Sequence, residues 1–559
     1  MYRLIFHSLT GLLFVIFVFS CTPQPSIRAA VVSARLEASE IGVQIMQQGG
    51  NAFDAAVATH MALAVCYPNA GNLGGGGFAV FRTASSTVGS LDFREKAPLA
   101  ASRDMYLDEN AEVIPEKSTL GGLAVGVPGS VAGMYALHQK FGKLPWHKVI
   151  TPAQELAEKG FVITQRQADG LAQKQPEIVA LNGDNIPFTQ SVKAKDTFRN
   201  PALAKLMQTI AKEGPKAFYE GSHAQALINT INTHGGIFSL EDLKSYEPVW
   251  REPIRFQYKD LTLYSMGPPS SGGICLGQLM GMIEPYSIEQ YGFHSEKAVQ
   301  LMIEAERRSF ADRSLYLGDV DFVSVPTEQL LDREYLQKRM NSFSFEKATP
   351  SETIAPGIVV AEESEETTHF SILDQEGNAV AITTTLNGNY GAKLYVKEGG
   401  YFLNNVMDDF SSKPGVPNMF GLIGGTANAI APAKRMLSAM TPTLVEKGGK
   451  LSMIVGTPGG STIITSVFQI ILNVYAFGMS IEEAVDAPRF HHQWMPDTVI
   501  LEPAKFSRKF IRNLQAKGYQ IEEKNTRIIG RVDAIHLSPE GHISTAADPR
   551  GDDAAAVLR

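Results

Sequence analysis

The chain has 559 residues, 44% of them hydrophobic and 19% charged, with a formal net charge of −8. That balance describes a globular protein with a sizeable core and excludes a disordered chain. With no dense Lys/Arg run, it also argues against a nucleic-acid partner. No HExxH, paired CxxC or EF-hand loop occurs, so no protein-built metal site and no cofactor is expected. His491 and His492 are adjacent, a poor spacing for joint ligation, and are expected to pack or hydrogen-bond instead.

The first segment reads as a targeting signal: Arg3 supplies a positive start, and Leu9 to Phe19 is apolar but short for a membrane span. It runs through Phe19 and Ser20 to Cys21, similar to a bacterial lipoprotein processing site, and residues 22–25 follow as a short extended tether. Residues 1–20 are then a lipoprotein signal peptide, Cys21 the lipidation point, and the location the cell envelope, facing the periplasm or on the outer membrane. An ordinary secretory signal is the alternative; a lone cysteine just after the apolar stretch favours the lipoprotein.

Leu36 to Gln48 has helical periodicity and stops at Gly49-Gly50; Asn51 then opens a second, largely apolar helix to about Val65. The glycines from Gly71 to Gly77 precede the strand Phe78 to Phe81. A phosphate-cradling loop needs the opposite order, strand before helix, so these glycines read as close backbone packing. Cys66 and Cys275 read as small buried hydrophobes. Residues 131–245 are mostly helical, with stops at Gly160, Gly214 and Gly235-Gly236. A hairpin follows over Ile254–Tyr258 and Leu261–Met266, then a helix opened by Pro268 to Gly273, and a long helix over about Glu296 to Tyr316. The acidic, Pro-containing stretch 344–366 is the best linker candidate.

At Thr367 the pattern turns to strands. Phe370 and Ile372 alternate with Ser371, Asp374 to Asn378 supply turn chemistry, and Ala379 to Leu386 returns as a β-branched strand. A threonine just after a solvated acidic loop, at the mouth of a strand, is well placed to become a new N-terminus. Its own α-amine, with a pKa near ~8, would then serve as its general base. A structural Thr-Thr pair in a strand is the plain alternative. A Gly/Pro-rich loop spans Lys413 to Pro432, a hairpin spans Leu444 to Gly456, and Pro458-Gly459-Gly460-Ser461 leads into an apolar helix, Ile463 to Phe477. No internal repeat is present. The mixture is α+β.

Six short segments decide between these alternatives: Asn72 to Phe78, Asp92 to Glu95, Pro268 to Gly273, Thr367 to His369, Asn404-Asn405 with Met407 to Phe410, and Pro458 to Gly460. Taken in this order the chain resembles the bacterial γ-glutamyltransferases, also called γ-glutamyl transpeptidases, over nearly its whole length after the leader. The resemblance implies an N-terminal nucleophile hydrolase, a four-layer αββα sandwich. It implies self-cleavage between Glu366 and Thr367 into a large subunit, 21–366, and a small subunit, 367–559, which stay together as a heterodimer. Thr367 takes the nucleophile position and Thr385 orients its hydroxyl; Gly459 and Gly460 offer N–H groups to the oxyanion. Arg94 and Ser438 take the donor's α-carboxylate, Asp409 and Asn387 its α-amine. Donors would be glutathione and other γ-glutamyl amides, and acceptors water, amino acids or peptides. The loop 413–432 resembles the family's lid, with Phe420 where many members carry tyrosine.

Two departures stand out. Val406 replaces a Glu or Gln that helps hold the amine, and Ala439 replaces a second serine, which puts donor affinity and specificity in question. Within the same fold the rival is a cephalosporin-acylase-like amidase for glutaryl amides, which carry no α-amine; loss of the acceptor at Val406 points that way and retention of Asp409 points back. A non-catalytic envelope lipoprotein is the remaining alternative, and intact Thr367 and Gly459-Gly460 speak against it.

Overall fold

The computed structural model describes residues 26–354, 367–523 and 528–559. Cys21 and Glu366, and with them the lipidation and cleavage expectations, lie outside the described residues. Two antiparallel sheets form the centre. Sheet I contains β1 (Ala29–Ser33), β2 (Gly76–Arg82), β3 (Val88–Phe93) and β4 (Val249–Arg251), together with β7 (Thr368–Leu373), β8 (Ala379–Thr385) and β13 (Ala554–Leu558), in the order β13-β1-β7-β8-β2-β3-β4. Sheet II contains β5 (Ile254–Tyr258), β6 (Leu261–Ser265), β9 (Thr443–Lys447), β10 (Lys450–Gly456), β11 (Asp533–Leu537) and β12 (Ile543–Ala547), in the order β12-β11-β10-β9-β6-β5.

Alternation along the strands builds the layers. In β1, Ala30 and Val32 join Phe78, Val80, Ala379 and Ala381 in a core that meets Leu444, Ile454 and Ile535 of sheet II. Val31, with Ala79, Phe81, Val380 and Ile382, faces the opposite way, onto α1 (Leu36–Gln47), α2 (Ala52–Cys66), α3 (Ser130–Phe141) and α4 (Trp146–Lys159). The outer face of sheet II packs Leu263, Val445 and Met453 against α5 (Gly272–Ile283), α6 (Glu296–Tyr316) and α7 (Thr462–Tyr475). Period-two side chains with both faces covered make strands that read as nearly continuous apolar runs. The result is the expected αββα sandwich.

Most local expectations hold. Asn51 caps α2 through a capping box with Asp54. Both cysteines are free and buried. The histidine pair is buried and hydrogen-bonded, His491 to Thr465 and Gln493, His492 to Asp497. Two readings need correction. β2 begins at Gly76, inside the glycine cluster: a Cβ on Gly77 would sit 2.3 Å from the Thr383 carbonyl, so only glycine lets the backbones approach this closely. Residues 344–354, read as linker, are tied down. Thr349 N donates to Glu304 Oε1 (3.1 Å), Ser351 N to Asp497 Oδ2 (2.8 Å), and Ile354 is buried.

Sheet I interleaves the two parts of the chain. β7, β8 and β13 come from after residue 367, yet β1 pairs with both β7 and β13, and β8 pairs with β2.

Candidate active site

Thr367 stands one residue before β7. The β7/β8 register pairs Thr368 with Thr384, which carries Thr367 opposite Thr385, and their hydroxyl oxygens lie 3.4 Å apart. Thr385 Oγ1 also accepts from Asn387 N (2.8 Å). Behind this edge, Asn72 donates to Thr384 Oγ1 and to the Thr385 carbonyl (3.1 Å each), so the glycine-rich segment braces the strand end. Beneath it His369 is fully buried, Nδ1 2.8 Å from Thr383 Oγ1, and burial pushes its pKa down to about 3. The Thr367 end is uncharged and built on sheet.

The Arg94 end is the reverse. Arg94 leaves β3 fully buried and forms an ion pair with Asp409, which comes from the turn Val406–Asp409. Burial raises the Asp409 pKa and outweighs the opposing pull of Arg94. Glu95 and Asp408, next in chain, are pushed up to about 7 and about 6 by burial. Asn404 positions that turn by donating to the carbonyls of Gly74 and Gly126 (2.8 Å each). The Pro268–Gly273 segment clamps the other wall: Ser271 Oγ donates to the Ser438 carbonyl (2.7 Å) and Ser270 Oγ to that of Met440 (2.6 Å).

One cavity joins the two ends, lined by Thr367, Thr385, Asn387, Arg94, Asp409, Ser438, Ala439 and Gly460. Gly460 has φ +54°, and a Cβ there would lie 2.7 Å from the Phe420 ring. Gly459, at φ +134°, sits one step back, against Thr462 Oγ1 and Gly530, and is not part of the lining. Neither glycine N–H donates to another described residue, and of the two only Gly460 lines the cavity. Of the site residues expected from sequence and described, only Gly459 is outside the lining.

The loop 413–432 covers the cavity. Its one regular piece is a short 3-10 turn, Thr426–Asn428. Phe420 is buried and lines the cavity; Met419 N donates to Asp408 Oδ2 (2.8 Å) and Asn418 Nδ2 to Asp409 Oδ1 (3.3 Å). Gln493 Nε2 donates to the Phe420 carbonyl (3.1 Å), while its Oε1 accepts from Ser461 Oγ (2.6 Å) beside the glycine pair. Under this cover the cavity is about 20 Å³, room for about one water.

Val406 is fully buried with Ala97, Tyr106 and Met436, outside the cavity lining. The departure therefore leaves a filled apolar contact and no vacancy beside Asp409. Sequence reasoning missed Arg313, which lines the cavity from α6, and Gln493. A signal for Arg313 was present: α6 carries Glu304, Glu306, Arg307, Arg308, Asp312 and Arg313, too many charges around its circumference for one solvated face, and all six are buried.

Two stacked antiparallel sheets between helical layers are the αββα fold of the N-terminal nucleophile hydrolases. Comparison with known proteins narrows this. Residues 38–558 match the family model for gamma-glutamyltranspeptidase, and the chain belongs to that family. It is 44% identical to the glutathione hydrolase proenzyme of Escherichia coli strain K12 over 528 residues, covering 94% of this chain and 90% of that one. It is 33% identical to the Acylase ACY 1 proenzyme of Pseudomonas sp. strain V22, covering 96% and 94%. Among solved structures, gamma-glutamyltranspeptidase from Helicobacter pylori is 42% identical with a TM-score of 0.57, covering 58% of this chain and 94% of that one. Cephalosporin acylase from Bacillus halodurans shares the fold at a TM-score of 0.84, with 24% identity over 98% of this chain and all of the other.

Proposed function

We propose that the chain is a self-processing γ-glutamyltransferase and glutathione hydrolase. The observation that carries this reading is the single cavity in which Thr367, Thr385 and Gly460 meet Arg94, Asp409 and Ser438. A nucleophile, an oxyanion site, a carboxylate-binding cation and an ammonium-binding anion are what a γ-glutamyl amide requires.

The first reaction makes the catalyst. Thr367 Oγ attacks the Glu366 carbonyl carbon, the amide becomes an ester, and water hydrolyses it to a Glu366 carboxylate and a free Thr367 α-amine. The interleaving of β7, β8 and β13 with β1 and β2 then holds the two fragments, 21–366 and 367–559, without a covalent link. The description of relatives as proenzymes supports the same step.

In turnover, the α-amine takes the proton from Thr367 Oγ as the oxygen attacks the γ-carbonyl. Thr385 Oγ1, 3.4 Å away, orients the nucleophile. The oxyanion is met by N–H groups of the Gly459-Gly460 turn. The proton passes to the departing amine, cysteinylglycine where glutathione is the donor, leaving a γ-glutamyl ester on Thr367. Water, an amino acid or a peptide then attacks that ester. Arg94 and Ser438 hold the donor's α-carboxylate. Asp409 and the side-chain carbonyl of Asn387 receive its α-amine; the Asn387 amide is committed to the Asn405 carbonyl (3.1 Å).

N-terminal sequencing of the smaller fragment tests the reading: it should begin Thr-Thr-His-Phe, and a fully active uncleaved chain would overturn it. Hydrolysis of a γ-glutamyl anilide over a glutaryl anilide separates it from the amidase. The envelope location rests on Cys21. Fatty-acid labelling that survives Cys21→Ser would refute the anchor.

A further inference from the structure

Arg313, on the last turn of α6, is 5% exposed and lines the active-site cavity. Its Nε donates to Ser271 Oγ (2.9 Å), and that hydroxyl donates in turn to the Ser438 carbonyl (2.7 Å). Arg94 approaches the same wall from the other side, its Nε 3.5 Å from the Met436 carbonyl. Two buried guanidinium groups therefore flank residues 436–438. Their surroundings differ. Arg94, Arg307, Arg308, Arg435 and Arg489 each lie beside a carboxylate. Among the described residues Arg313 has no ion pair, and its two terminal nitrogens donate to none of them.

A guanidinium does not shed its proton, so burial leaves Arg313 charged. An uncompensated buried charge is penalised by several kcal/mol unless an anion or water meets it. Arg94 is paired with both Asp409 and Glu95, while Arg313 has only the distant attraction of Asp409, so the cavity lining sets two guanidinium groups against one carboxylate. Arg313 lines the cavity together with Asp409 and Ser438, and Asp409 acts on its charge without a direct ion pair.

We infer that Arg313 is a second carboxylate-binding residue, which with Arg94 receives the α-carboxylate of the donor. Ser271 orients it through Nε and leaves its terminal N–H groups for the ligand. This inference rests on the γ-glutamyl reading above. It also accounts for Ala439: with two guanidinium groups on one carboxylate, a second serine hydroxyl is dispensable.

The test uses self-cleaved enzyme and three small ligands that differ by one group: L-glutamate, glutarate, which lacks the α-amine, and 4-aminobutyrate, which lacks the α-carboxylate. Dissociation constants are measured by calorimetry for wild type, Arg313→Gln, Arg313→Lys and Arg313→Ala, each with the wild-type fragment pattern and unfolding midpoint. Arg313→Gln should weaken L-glutamate and glutarate about 10- to 100-fold, the loss of charge-assisted hydrogen bonds, and 4-aminobutyrate by less than about threefold. Arg313→Lys should recover part of the loss, and free guanidinium ion should improve glutamate binding to Arg313→Ala. Equal weakening of all three ligands, or of none, would overturn the inference. A wild type that binds glutamate no better than 4-aminobutyrate and ignores γ-glutamyl anilide would instead overturn the functional reading, and this inference with it.

Discussion

The two ends of the active-site cavity are built on opposite physical plans. At the Thr367 end, Thr367 stands one residue before β7 and opposite Thr385 at the end of β8, the neighbouring groups are hydroxyls, amides and a neutral histidine, and the β7/β8 ladder sets the register. At the recognition end, Arg94, Asp409 and Arg313 come from the end of a strand, a short turn and a helix. Arg94 and Asp409 hold one another as an ion pair, and Arg313 is held by the Ser271 hydroxyl. The difference teaches where each end is vulnerable. A sheet-built site fails when a reacting atom or a backbone approach changes, and it should lose kcat. A charge-built site fails when one partner is removed and the other is left buried alone, and it should lose stability and KM together.

Removing the reacting atom should have the largest effect. Thr367→Ala should leave the precursor uncleaved and inactive with normal folding, while Thr367→Ser should keep part of both reactions. Gel analysis and anilide release measure this, and cleavage by the alanine variant would remove Thr367 from the nucleophile role. Next, Arg94→Ala should strand Asp409 and cost about 3–5 kcal/mol of stability. It should also raise KM for γ-glutamyl anilide more than it lowers kcat. A loss confined to kcat would contradict the contrast between the two ends.

Gly460→Ala tests the nucleophile end through its backbone. At φ +54° with the Phe420 ring 2.7 Å from the new Cβ, the turn must shift, and kcat should fall about 10²- to 10³-fold, as for a lost oxyanion donor. Adding Phe420→Ala should restore only part of this, since the ring is removed but the backbone strain stays.

Acid should separate the two ends without mutation. His369 has its pKa lowered to about 3 in the fold, against 6.5 unfolded. It therefore contributes stability that is present above pH 6.5 and lost as pH falls toward 3. His60 and His492, lowered to about 4, act in the same direction. The urea midpoint should drop through this window, less steeply in His369→Gln. Asp409 has a raised pKa, so KM should climb as falling pH protonates it, above the ordinary carboxylate range.

The covering loop should give the smallest effects. Gln493→Glu keeps the acceptor for Ser461 but loses the donor to the Phe420 carbonyl, so it should loosen the loop while leaving the glycine turn braced. Loop-shortened enzyme should gain kcat/KM for bulky donors relative to small ones, and Phe420→Tyr should shift transfer over hydrolysis only modestly. Unchanged donor preference after shortening would mean that the loop does not gate the cavity.

The sequence alone determined the order of helices and strands, the hairpin that begins just after Thr367, the glycine cluster as a packing device, and most of the residues that line the cavity. Those features are local: a capping box closes over three residues, a turn over four, and side-chain alternation repeats every two. The tertiary structure decided how far the glycines extend into β2, that residues 344–354 are anchored, that Val406 fills an apolar contact, and that Arg313 reaches the cavity. Each depends on partners remote in the chain. Gly77 answers to Thr383, Thr349 to Glu304, Val406 to Ala97, and Arg313 to Ser271 and, across the cavity, Asp409. A buried guanidinium and a solvated one have the same local sequence; only the packing of α6 against α5 takes this one out of water, because burial is a property of the layers and not of the residue.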